Sequence, residues 1–370
     1  MRNRKWTVNQ HLQNEAIAHS LFVSRYGNGA ARRMVLILNQ ADAELAAQLL
    51  VALEDMNPYT MTAKRLATQL KAVRAINQRV YASLSESLTA ELESFATHEA
   101  TYQALMFSDT LPEVILQHVP LQQLTPQQVF ASAVSQPFQG RLLKEWGEKL
   151  EADRNERLTN AVRMGFLNGE TTEQVVRRVR GTKASNWQDG ALQVSRANAT
   201  SVVKTAINHV AATARQDFAE ANSDLIEAKQ WDSTLDNKTT PICIVRDHLL
   251  YTLDGQPIGH KVPYLNGPGK AHYCCRSSET YITKSWRELG IPVDELDSTT
   301  RASMDGQVPA KTNYRDWLSN QSYARQEQVL GVTRARLLSD GKLTVDEFFN
   351  DRGEMLTLEQ LKRIDASAFE

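Results

Sequence analysis

Between residues 11 and 108 the chain carries one proline, in Asn57-Pro58, and glycine only in Gly27-Asn28-Gly29. A stretch with so few places to turn has to run as long helices, because glycine and proline are the residues that end them. Apolar side chains fall where such helices need them. Met34, Leu38, Ala41, Leu45, Ala46 and Leu49 recur every three or four residues in segment 31–56. Leu66, Leu70, Val73, Ile76, Val80 and Leu84 do the same in a second helix expected from 62 to about 105. Each pattern puts one apolar stripe along a helix, and helices of that length require neighbours or other subunits to cover them.

At 370 residues the chain is long enough for two or three domains with their own cores. We find no run of eighteen apolar residues and no charged-then-apolar leader, so neither a membrane span nor a secretory signal is expected. This points to a soluble protein made in a cytoplasm. Lys+Arg 42 against Asp+Glu 43 gives a net charge of -1, which advertises no bulk attraction for nucleic acid.

Beyond the long helices the texture changes in steps. Val114-Ile115-Leu116-Gln117-His118-Val119, bounded by Pro112 and Pro120, reads as a short strand and a hinge between modules. Thr125-Pro126-Gln127-Gln128 is a helix start, with a capping hydroxyl, a proline at the first position and a glutamine at the third. Helices are expected over 142–166 and 172–179, separated by Gly169, and again over 191–221. Alternation from Leu225 to Trp231 then favours a strand, Asp254-Gly255 a tight hairpin turn, 259–270 a loop, and Tyr281-Ile282 a second strand. Trp286 is expected to open a short helix stopped by Gly290 and Pro292. Segment 294–312 reads as extended, and the residues from 313 onward as a string of small helices without a core of their own. Two of these carry capping-box patterns at Thr344 and Thr357. The expected class is α+β and mainly α-helical. Four consecutive regions are expected: long helices over 1–110, a helical connection over 111–185, a helical and small β-module over 186–292, and a tail over 293–370.

All three cysteines sit in two short polar stretches, at Cys243 and at Cys274-Cys275, the latter beside His272 and Arg276. Three cysteines this unevenly placed do not make a disulfide framework. Several chemistries fit. Cys243, His272 and Cys275 have the ligand types for tetrahedral zinc, with His248, Asp247 or His260 as a fourth. Because adjacent side chains in an extended chain point to opposite faces, only one of Cys274 and Cys275 could ligate. Alternatively the thiols are small buried apolar side chains, a Cys243 to Cys275 disulfide, or a nucleophile with His272 as its base. Arg276 is placed to meet Asp236 as a planar fork against a carboxylate. A basic segment, Arg177, Arg178, Arg180 and Lys183, suits a helix C-terminus and secondarily a phosphate contact.

The order Trp231, Asp236, Thr239, Cys243, Gly255, His272, Cys275, Arg276 resembles the signature of the phage Mu F-like head morphogenesis family, minor capsid proteins of tailed bacteriophages. Upstream, Arg196 and the run from Val203 to His209 resemble that family's preceding helix, with Lys204 where arginine is commoner. Thr240 and Ser277 stand where many relatives have cysteine, so the richer metal set of those relatives is absent. The likeness covers roughly 142–282, and Asn313-Tyr314-Arg315-Asp316-Trp317-Leu318 resembles a tail found on some phage head proteins. The resemblance implies a structural, non-enzymatic virion component of the phage head, assembled in the host cytoplasm near the portal and acting in head assembly. It implies portal and capsid proteins as partners, self-association, contact with packaged DNA and a role in DNA ejection, with no membrane and no small-molecule substrate. Its implied cofactor is none, or zinc. Two other readings stay open: a DNA-binding ejection protein, using the basic segment with Arg2, Arg4 and Lys5, and a Cys/His-dependent enzyme or toxin-related protein.

Overall fold

The structure, a computed structural model, describes residues 8–54, 66, 68, 70–289, 300–304, 306–309 and 311–369. Among these it is mainly helical, with twelve α-helices and a small four-stranded antiparallel sheet, the α+β class expected. The chain divides into two compact units. Met1–Ser24, Ala96–Val129 and Asn208–Glu370 form one, and Arg25–Phe95 with Phe130–Ile207 the other. Neither unit is a consecutive segment, so the linear division at 110, 185 and 292 does not coincide with them.

Helix α1 spans Val8–Glu54 and α2 spans Lys71–Thr110. The expected start of α2 at 62 lies outside the described residues. In the first unit Tyr102 of α2 donates to the Glu15 carbonyl of α1 and His19 meets Glu99; in the second Tyr26 and Arg33 meet Glu91, and Arg79 meets Glu44. Residue numbers rise on one helix as they fall on the other, so within each unit the two run antiparallel. That pairing buries the apolar stripes: Leu38, Leu45, Leu49, Leu70 and Val73 are fully covered. By length and mean hydropathy, 1.3 over its most apolar 18 residues, α1 is also capable of crossing a membrane, which its sequence alone did not lead us to expect. Within the fold it buries an apolar stripe that the ion-paired Asp42 interrupts.

The run after Pro112 is a helix, not the expected strand: α3 spans Glu113–His118. Only Ile115 of that run is buried, while Val114 is exposed, so the chain lacks the two-residue burial period a strand needs. Pro112 instead precedes the first helical residue, where its missing N–H is harmless. Helices α4 (Pro126–Ser135), α5 (Leu143–Leu167), α6 (Thr172–Arg180) and α7 (Leu192–Ala221) follow as expected. The Thr125 cap forms, with its N–H donating 2.8 Å to Gln128 Oε1.

In the first unit α7 feeds strand β1 (Ile226–Asp232), which lies between β4 (Ser278–Thr283) and β2 (Leu250–Tyr251); β2 pairs in turn with β3 (Pro257–Ile258). The register sets Asp232 opposite Ser278 and Lys229 opposite both Tyr251 and Tyr281. This fixes where the two cysteine stretches leave the sheet. Residues 286–289 form a single turn closed by Leu289 N–H on the Ser285 carbonyl, not the expected helix, and Gly290 and Pro292 lie outside the described residues. Within the segment read as extended, β5 (Thr300–Ser303) and β6 (Gly306–Pro309) make an antiparallel hairpin, while 294–299 lie outside the described residues.

The tail helices α9 (Tyr314–Ser319), α10 (Tyr323–Leu330), α11 (Val332–Ser339) and α12 (Leu358–Ile364) build one core jointly with the central module rather than a core of their own. Tyr314, Trp317, Leu318, Leu330, Leu337, Phe348 and Leu361 pack together and onto Leu235, Ile244, Val245 and Val262. Short helices have weak periodicity, so their apolar residues read as scattered until the chain folds back on itself.

Candidate functional site

After β1 the chain turns through Ser233–Thr240 into a one-turn helix, α8 (Pro241–Ile244), with Pro241 at its first position. That turn carries Cys243 inward, where it is 2% exposed. The second stretch returns to β4 through a loop whose backbone is left-handed at Gly267, Gly269 and Cys274. The Cys275 N–H closes a turn on the His272 carbonyl at 3.2 Å. Strand pairing between Asp232 and Ser278 thus brings residues 32 positions apart together. Cys243 Sγ lies 3.7 Å from Cys275 Sγ and 3.2 Å from His272 Nε2. Cys274 is not in this group; its backbone is left-handed, φ 54°, rather than extended as the opposite-face argument assumed.

Further motif residues hold the knot. Arg276 grips Asp236 with both ends of its fork, at 2.6 and 2.8 Å. Thr239 Oγ1 donates to the Thr234 carbonyl at 2.5 Å and to Asp236 at 3.2 Å. Ser233 Oγ donates to the Cys243 carbonyl at 2.7 Å. Trp231 is fully buried in one cluster with Cys243, Tyr251, Tyr264 and Cys275. At Gly255, φ 85°, a Cβ would press to 3.0 Å from the Tyr264 ring, so this turn needs its glycine for both backbone and space.

The hydrogen bond between Cys243 and Cys275 pushes the two thiols in opposite directions. The Cys275 thiol is driven well below its ordinary value by the hydrogen bond from Cys243, against the effect of burial, and further by the bond and charge of His272. The Cys243 thiol is raised by that same bond and by burial. Burial would lower His272, but its hydrogen bond and attraction to Cys275 raise it. For Asp236 burial would raise the carboxyl, and the Arg276 fork overcomes this to hold it below the usual range.

A tetrahedral zinc with sulfur at about 2.3 Å has sulfur atoms about 3.8 Å apart. The 3.7 Å between the two Sγ atoms fits, and one ligand atom from each of Cys243, His272 and Cys275 lies within 4.8 Å of the others. The fourth position does not come from the residues expected. Asp247 Oδ1 and Oδ2 accept from the Ser233 and Tyr314 N–H groups at 2.6 Å each. His248 groups with Asp232 and Asp247, and His260 contacts the Leu250 carbonyl and the Val262 N–H. Thr240 Oγ1, 2.9 Å from His272 Nε2, is a polar atom beside the knot, and a hydroxyl or water would complete a metal's shell.

Of the basic residues, Arg178 is paired with Glu170 and Arg180 stacks 4.1 Å from the centre of the Trp187 ring, while Arg177 and Lys183 are exposed. All four belong to the second unit and none to the knot's unit. Arg2, Arg4 and Lys5 lie outside the described residues.

Sequence reasoning named Asp247 only as a metal ligand and missed its role in tying the tail to the knot through the Tyr314 N–H, and it missed Asp42, which accepts at 2.5 Å from both Arg154 and Arg196 in the second unit. A signal existed for Asp42, a carboxylate on the stripe itself, four residues after Leu38 and three before Leu45. None existed for the contact of Asp247 with the tail. Comparison with family models, with curated proteins and with solved structures returns no match.

Proposed function

We propose that this chain is a minor head protein of a tailed phage, acting in head assembly close to the portal, with the Cys243, His272, Cys275 knot as its organising unit. One observation carries the reading: the signature residues, spread over 46 positions from Trp231 to Arg276, converge on a single buried cluster and the ion pair that braces it. A signature that arose by chance would have no reason to close in space. The tail segment that shares the resemblance docks on the same knot, through Tyr314 on Asp247 and on the Asp236 carbonyl. The knot serves as scaffold, and zinc is its natural occupant: Cys243, His272 and Cys275 would hold the ion, which would lock two loops together and add folding free energy.

An enzymatic role is less well supported, because an attacking thiolate must meet its substrate and Cys275 is fully buried. Within the basic segment a DNA-contacting role would fall to Arg177 and Lys183, since Arg178 and Arg180 are engaged within the fold. The test is genetic and compositional. In the phage that encodes this chain, deletion should abolish infectious particles, wild type should restore them, and Cys275→Ser with Arg276→Ala should not. Mass spectrometry of purified particles should find the chain in few copies per head. Normal particle yield from the deletion, or particles and precursors without the chain, would sink the reading.

A further inference from the structure

We propose that His19, His98 and Glu99 form a second, sulfur-free metal site for a divalent cation of the zinc type, clamping α1 to α2 in the first unit. The site is independent of the Cys/His knot and of the assembly role. One ligand atom from each of the three residues lies within 4.8 Å of the others. His19 and Glu99 are 3% and 0% exposed, and they meet at 2.8 Å between Nε2 and Oε1.

That single contact leaves two buried polar atoms unfilled. His19 Nδ1 and Glu99 Oε2 have no hydrogen-bond partner. A fully buried carboxylate with one of its oxygens empty is costly, and such an atom points to a missing ion or water. A cation held by His19 Nε2 and the Glu99 carboxylate fills the empty Oε2 and balances its charge together. Two imidazoles and a carboxylate are a donor set suited to zinc and its neighbours in the first transition row.

The surroundings are those of a held site. Tyr102 stacks on the His19 ring at 4.0 Å, fixing its plane, and the His98 ring packs 4.8 Å from Phe22. His98 is exposed, which supplies an entry path. Zinc with nitrogen and oxygen ligands needs them roughly 3.4 Å apart. Loading opens the 2.8 Å contact between His19 and Glu99 to that spacing, and the exposed imidazole moves in by a change of rotamer.

Native mass spectrometry on the full chain, loaded with zinc and freed of excess, decides the matter. His98→Ala, at an exposed position, should keep its far-ultraviolet circular dichroism and lose one zinc per chain relative to wild type, or bind it more weakly by at least about tenfold. Glu99→Gln should lose the same ion. Cys243→Ser should keep it. Cobalt bound to Cys243→Ser should show visible d–d bands without the thiolate charge-transfer band that the knot would produce. The same zinc count and affinity in wild type and His98→Ala overturns this site and leaves the knot untouched. Loss of zinc only in Cys243→Ser supports the knot and overturns this site.

Discussion

The knot in the first unit and the helical core of the second solve the same problem by opposite means. Around Cys243 the elements are two to seven residues long, the loops cross left-handed backbone at several positions, and specificity comes from a few side-chain contacts. In the second unit, long helices bury regular apolar stripes, and one polar device interrupts them: Asp42 between Arg154 and Arg196. The difference teaches where each region is vulnerable. Many interchangeable apolar contacts spread a loss over the whole helix pair, whereas a knot of single contacts fails at a point.

The largest effect should come from the exception within the helical region. Arg154 is fully buried, and its Nε and Nη1 already lack partners. Asp42→Ala removes the carboxylate that faces two buried guanidinium groups and should cost about 3–5 kcal/mol in urea unfolding. A loss below about 1 kcal/mol would show that the triad is hydrated and that the apolar stripe alone holds this unit.

Metal removal should act on the other side of the comparison. If zinc occupies the knot at a free concentration near 1,000 times its dissociation constant, chelation removes about 4 kcal/mol. Hydrogen exchange should then quicken in β1 and β4 and remain slow in α5. Equal quickening in α5 would break the contrast between the two units.

The Asp236 and Arg276 pair sharpens it through pH. Because the folded carboxyl lies below its unfolded value of about 3.9, its stabilisation is fully present above that value and is lost as pH falls through the lower, folded one. Asp236→Asn should cost about 1–3 kcal/mol at pH 7 and flatten the decline in stability below pH 4. An acid profile identical to wild type would mean the pair contributes nothing.

The smallest effect is expected at the hairpin turn. Gly255→Ala meets both a left-handed backbone and the Tyr264 ring at 3.0 Å, and should lower stability by about 1–2 kcal/mol. A neutral result would show that Tyr264 can yield.

Legibility in the sequence followed the range of the interactions involved. The stripes of α1 and α2, the Thr125 and Thr357 caps and the Asp254-Gly255 turn are written in neighbouring residues, and all form. The Asp236 and Arg276 pair was also anticipated, since a fork and a carboxylate in two linked stretches have a natural match. The failures share one cause. At Val114–Val119 a β-branched run suggested a strand, but burial of Ile115 alone made a helix the better solution. In the tail, helices of six to eight residues carry too little pattern to announce a core that forms only when Tyr314, Leu337 and Phe348 meet.

By itself, then, the order of residues determined the helical class, the caps and turns, and the inventory of thiols, imidazoles and charges, because each depends on contacts within a few positions. Tertiary structure alone decided which of those groups meet. Strand register placed Cys243 against Cys275 and antiparallel helices set His19 against Glu99, and both depend on closing loops of some 30 to 80 residues, a choice no local pattern encodes.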